Sequence, residues 1–131
     1  MLTLFTCMAV VAFLILGGLA VDGGYVLAAR RRAIDEANGA ARAGAQALAP
    51  SSYRSSGSVD LDPGAATAAA QDFLAATGHS GSVSVSGNEV SVTLSFDQPM
   101  SLLRLVGIDT VTVNGRGRAH SVRGTDVGET P

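Results

Sequence analysis

The first ionisable side chain other than the Cys7 thiol is Asp22, so residues 1–21, MLTLFTCMAVVAFLILGGLAV, carry no side-chain charge and are polar only at Thr3 and Thr6. A bilayer core takes roughly 20 such residues at about 1.5 Å of rise each. The segment therefore reads as a transmembrane helix or an uncleaved signal anchor. Gly18-Leu19-Ala20 also fits a signal peptide cut after Ala20, with small residues at both recognition positions. Against that alternative, no basic region precedes the apolar run and the helical pattern continues past Ala20. A chain of 131 residues has room for about one domain. Once the span is set aside, only a small head follows residue 49, and small heads bury a low fraction of their surface.

Charged residues are 15% of the chain, against a typical ~25%. Every basic residue is Arg, and Ala with Gly exceed a quarter of the chain. Residues 22–49 carry Arg30, Arg31, Arg32 and Arg42 against Asp22, Asp35 and Glu36, whereas the part from Pro50 onward is mildly acidic. The net charge of -2 excludes the basic face of a nucleic-acid-binding protein. Cys7 has no second cysteine to pair with and reads as a small apolar side chain.

No proline occurs before Pro50, and residues 25–48 are mostly good helix formers. The expected helix would run about 70 Å, far beyond the bilayer. Ile34, Ala37, Ala41, Ala45 and Leu48 fall at helical spacing and form a narrow apolar stripe. Small residues recur every four positions at Ala20, Gly24 and Ala28, and again at Ala29, Ala33, Ala37, Ala41 and Ala45. Such ladders let two helix backbones approach closely. Gly17-Gly18 and Gly23-Gly24 mark close contact or a bend, since each Gly costs about 1 kcal/mol relative to Ala in a helix. Asp22 ends the apolar run, either as an acid at the lipid-water interface or as a buried partner for a cationic group on a neighbouring subunit.

Beyond Pro50 the pattern changes. Residues 51–61 are Ser-rich and aperiodic, a linker. Asp62-Pro63 supplies a helix cap and first-turn proline. The helix that follows has Ala66, Ala69, Ala70, Phe73 and Leu74 on one side, with Phe73 as its core anchor, and stops at Gly78. Val83 and Val85 then alternate with Ser, Gly87-Asn88 marks a two-residue hairpin, and Val90, Val92, Leu94 and Phe96 alternate again. The implied pairs are Ser86 with Glu89, Val85 with Val90 and Val83 with Val92, which puts every apolar residue on one face. Residues 99–106 (PMSLLRLV) form an amphipathic turn or short helix closed by Gly107. A third strand over residues 110–122 has Val111, Val113, Gly115, Gly117 and Ala119 inward. The last residues read as a disordered tail.

These readings give an α+β fold with a three-stranded antiparallel sheet. Its parts are a span (1–21), an Ala-rich helix continuing from the membrane (22–49), a linker (50–62), the head (63–122) and a tail (123–131). Nothing in them is assembled for catalysis. His79 and His120 are far apart without a metal-ligand spacing and read as surface imidazoles. No nucleophile elbow occurs among the serines. Gly115-Arg116-Gly117 does not open a helix as a phosphate loop would. No cofactor or metal is expected.

At VDGGYVLAARRRAIDEANGAARAGAQAL (residues 21–48) the chain resembles the TadE/TadG-like proteins of tight-adherence (Flp) pilus assembly, particularly short actinobacterial forms. The resemblance covers residues 14–48 most closely and residues 65–119 more loosely. It implies a non-enzymatic, minor-pilin-like, single-pass membrane component with its head outside the cytoplasm. The partners it implies are other pilin-like or pilus-assembly membrane proteins and the lipid bilayer, with self-association through the N-terminal helix. Its expected packing surface is Gly17, Gly18, Ala20, Gly24, Ala28, Ala33, Ala37, Ala41 and Ala45. An anchored or secreted binding domain unrelated to pili is the alternative.

Arg30, Arg31 and Arg32 stand just beyond the span, and the positive-inside rule alone would put them, and the head, in the cytoplasm. The pilin-like pattern also has a processing glycine ahead of the apolar run and a Glu soon after it, and neither precedes Asp22. A basic leader encoded upstream of Met1 is the expectation that reconciles both observations with an external head.

Overall fold

The structure, a computed structural model, describes residues 1–47 and 60–121. Helix α1 (Leu2–Ala45) is continuous through all four central glycines, and its 44 residues reach about 66 Å at 1.5 Å each. It ends at Gln46. Leu48, Pro50, the Ser-rich stretch to residue 59 and the tail beyond Ser121 lie outside the described residues.

Helix α2 (Pro63–Thr77) starts and stops as its sequence requires. The N–H groups of Gly64 and Ala65 donate to Asp62 Oδ1 at 2.9 and 3.1 Å, satisfying donors that a helix start otherwise leaves open. Gly78 ends it in the left-handed region, at φ 78°, where a side chain would be strained. The Asp62 N–H donates to the Ala47 carbonyl at 3.1 Å, tying the start of α2 to the end of α1.

Strands β1 (Gly81–Ser86), β2 (Glu89–Pro99) and β3 (Thr110–His120) form an antiparallel sheet in the order β1-β2-β3. The expected α+β architecture is the one found. Val83 pairs with Val92, Val85 with Val90 and Ser86 with Glu89, the register that the two-residue turn and the alternation imply. Val92 also faces Gly117, Leu94 faces Gly115 and Phe96 faces Val113 across to β3. One face of the sheet is therefore apolar or glycyl except at Gln98, which pairs with Val111, and the other carries Ser, Thr, Asn and Arg together with Glu89, Asp97 and His120.

Both helices cover the apolar face. Val90, Val92, Leu94 and Val113 are buried with Ala29, Ala33, Ala37, Ala40 and Ala41 of α1 and with Ala66, Ala70 and Leu74 of α2. The contact between α1 and β3 is unusually close. A Cβ on Gly115 would collide with the carbonyl group of Ala33, and one on Gly117 with the peptide between Ala37 and Asn38. The periods explain the match: four helical residues advance about 6.0 Å and two strand residues about 6.7 Å. A four-residue Ala ladder can thus run beside a two-residue Gly ladder almost in step.

This packing rotates α1 away from the stripe read from the sequence. Ala37 and Ala41 face inward, but Ala33, Ala40 and Gly44 join them while Ile34 points outward and Ala45 is only partly covered. At backbone-to-backbone range the small side chains win the buried face and the larger Ile34 is displaced from it. Phe73 lies at the edge, not the centre, of the core. Its ring covers Gly39, where a Cβ would stand 2.6 Å from Phe73 Cζ.

His79 is not a free surface imidazole. Its Nδ1 stands 2.8 Å from Glu36 Oε2 and its ring stacks on Phe96 with centroids 4.4 Å apart, so it joins the end of α2 to α1 and β2.

Gly117→Ala should destabilise the head by about 1–3 kcal/mol through overpacking against the helix backbone. Gly23→Ala has open space around it and should be neutral or stabilising by up to about 1 kcal/mol. Denaturant unfolding in detergent micelles, followed by circular dichroism, separates the two.

Candidate functional site

The site worth building from its residues is the junction where α1 leaves its apolar run. Asp22 is 1% exposed although it stands on a helix whose preceding turns are largely bare. Its carboxylate accepts three backbone N–H groups, from Ser101 at 3.1 Å, Leu102 at 2.8 Å and Leu103 at 2.6 Å. These lead into a 3-10 turn (Leu103–Val106) in the β2–β3 connection, closed by Gly107 at φ 91°. The start of a helical turn leaves its N–H groups without partners, and hydrogen bonds to an ionised acceptor are the stronger kind. The partners of Asp22 are thus amides of its own chain, about eighty residues away in sequence.

One turn back, Gly18 supplies the second fastening. A Cβ placed there would lie 3.3 Å from Leu102 Cβ, so the missing side chain lets the connection settle against the helix. Gly18 and Asp22 are four residues apart and share a face. Together they hold the turn beside the last part of the charge-free run. Between the two lies an apolar groove of about 490 Å³, lined by Val11, Leu14 and Val21 on one wall and by Leu103, Leu105 and Val106 on the other.

The residues expected to pack fall into two sets. Ala33, Ala37 and Ala41 are buried within the head and Ala45 is partly covered. Gly17, Ala20, Gly24 and Ala28 are exposed, with nothing within 4 Å of a Cβ built at Gly17 or Gly24. At about 100° per residue these four lie within an arc of about 80°. That arc lies away from the face carrying Gly18, Asp22, Ala29 and Ala33, although Gly17 also lines the apolar groove. Arg30, Arg31 and Arg32 are all exposed, two to three turns beyond Asp22. Arg31 and Arg32 border a shallow surface with Asp35, Glu36 and Phe73.

Among the described residues, no group of three or more His, Cys, Asp or Glu side chains is placed to hold a metal ion. His120 stands 3.3 Å from Glu89 and His79 against Glu36, at separate places on the head. Sequence reasoning singled out Asp22 and Gly18 but not their partners. The available signal was LLRLVGI (residues 102–108), an apolar run between two strands whose own core faces are already filled.

Residues 1–47 match the Tad family, described as "Putative Flp pilus-assembly TadE/G-like". The matched stretch is α1 together with its C-terminal cap, so the resemblance read from residues 14–48 is borne out. That family belongs to pilus assembly, and the helix is long and apolar enough to cross a membrane. No curated protein and no solved structure matches the chain.

Asp22→Ala should release the turn. The amides of Ser101, Leu102 and Leu103 are expected to exchange hydrogen faster, with those of Val90 and Val92 unchanged; equal exchange in both proteins would mean that the carboxylate does not hold the turn.

Proposed function

We propose that this chain is a non-enzymatic, minor-pilin-like membrane component of Flp/Tad-type pilus assembly or secretion, anchored by a single span with its head outside the cytoplasm. The observation that carries this reading is the coincidence of the family match over residues 1–47 with one uninterrupted helix, Leu2–Ala45. A structural role fits the matched family, which is one of pilus assembly.

The helix has two jobs on two faces. Its Ala33–Ala41 face is occupied by the head, which leaves Gly17, Ala20, Gly24 and Ala28 as the surface through which it meets other pilin-like or assembly proteins, or a second copy of itself. In lipid there is no hydrophobic gain on bringing helices together, so close contact at small residues is the means available. This supports assignment of the packing to the outer ladder, nearer the membrane than the full set of nine residues.

Gly24→Leu combined with Ala28→Leu should reduce co-purification with pilus-assembly membrane proteins several-fold and leave the head folded, because both positions are exposed. Undiminished association would overturn the packing assignment. Protease shaving of intact cells tests the orientation: the reading requires the head to be cleaved, and protection of the head until the cells are opened would contradict it.

A further inference from the structure

The β2–β3 connection buries Met100 but leaves several other apolar side chains exposed. Leu105 is 86% exposed and Val106 59%, with Leu102 and Ile108 also outward. Leu102 also touches α1 at Gly18, and the exposed parts of these side chains together make an apolar patch of the kind a water-facing surface avoids. The patch is continuous with the exposed apolar face of the span, because the groove between them is walled by both. Leu102 sits at the level of Gly18, about 6 Å before Asp22 along the helix, and the groove extends to Val11, about 10 Å further.

We infer that the turn over residues 102–108 is a second membrane-contacting element, a wedge that inserts Leu102, Leu105, Val106 and Ile108 among lipid acyl chains beside the span. The inference rests on the reading that residues 1–21 cross the bilayer.

Irregular backbone is tolerated at membrane depth where its polar groups are satisfied by protein, and seven N–H groups of this connection have protein acceptors. The N–H groups of Ser101, Leu102 and Leu103 donate to Asp22. Those of Leu105, Gly107 and Ile108 donate to the carbonyls of Leu102, Arg104 and Leu103, and that of Met100 to Asp109. Asp22 takes three of these amides where the turn lies against the span, which accounts for a buried carboxylate at this position. Arg104, exposed and 3.7 Å from Asp109, supplies a long side chain able to carry its charge up to the headgroups. Lipid is favoured over a protein occupant by continuity with the span and by the nearly unbroken apolar lining of the groove, which offers no polar group to orient a partner.

The test uses the full chain in a Cys7→Ala background with a single cysteine at Met8, Leu105 or Ser84. Each is labelled with nitrobenzoxadiazole and placed in phosphatidylcholine–phosphatidylglycerol vesicles containing doxyl-labelled lipid. Labels at Met8 and Leu105 should be quenched several-fold more than the label at Ser84, which lies on the outer face of β1. Adding Asp22→Ala should diminish quenching at Leu105 and leave Met8 unchanged.

Quenching at Met8 without quenching at Leu105 would overturn the wedge and leave the span standing. A Leu105 label shielded from both doxyl lipid and aqueous iodide would overturn it in favour of a protein contact. Absence of quenching at Met8 would overturn the span itself, and the wedge with it.

Discussion

The close approach of α1 to β3 is the contact on which the other features depend. Ala33 and Ala37 face Gly115 and Gly117 with no room for another carbon, and the near-equality of a helical turn and two strand residues lets the contact repeat. Continued one step each way, the same register sets Ala29 beside Val113 and Ala41 beside Ala119, and all four belong to or pack on the core. Such a seam contributes less through apolar area than through the number of atoms brought into van der Waals contact. It accepts almost no variation, because a methyl group on the strand meets helix backbone, not a side chain that could move.

The seam also makes the span and the head parts of one structure. A head on a flexible stalk would leave its position at the bilayer undefined. Here the helix that is long and apolar enough to cross a membrane is the same one that forms the floor of the core, so the β2–β3 connection is held at a fixed place beside Gly18. Asp22 then has a clear physical role there, as acceptor for three amides of the connection. The low charge of the chain has one clear location: residues 1–21 carry no charged side chain.

The sheet was legible in the sequence because its signals are local. The Gly87-Asn88 turn fixes one register, alternation fixes which residues face inward, and Asp62-Pro63 and Gly78 bracket α2. Even Gly115 and Gly117 could be placed on the inner face by period alone. The buried face of α1 was legible only in part: the four-residue ladder from Ala29 to Ala41 marks it, whereas the apolar stripe does not, since in an Ala-rich helix the usual rule that the larger side chain is buried gives the wrong answer at Ile34. The partners of Asp22 and Glu36 were out of reach for another reason. They come from residues 101–103 and 79, brought near by the fold, and no spacing along the chain encodes them. The exposed connection was readable as apolar, but not as outward-facing until the core was seen to be full without it.

The central claim is that the seam makes the membrane-proximal helix and the sheet one cooperative unit. Native-state hydrogen exchange measures this most directly, because residues that open together share one opening free energy. The amides of Ala37, Ala40 and Ala41 should have the same opening free energy as those of Val90, Val92 and Leu94. A helix whose amides stay protected while the sheet exchanges, or exchange while the sheet stays protected, would contradict the account.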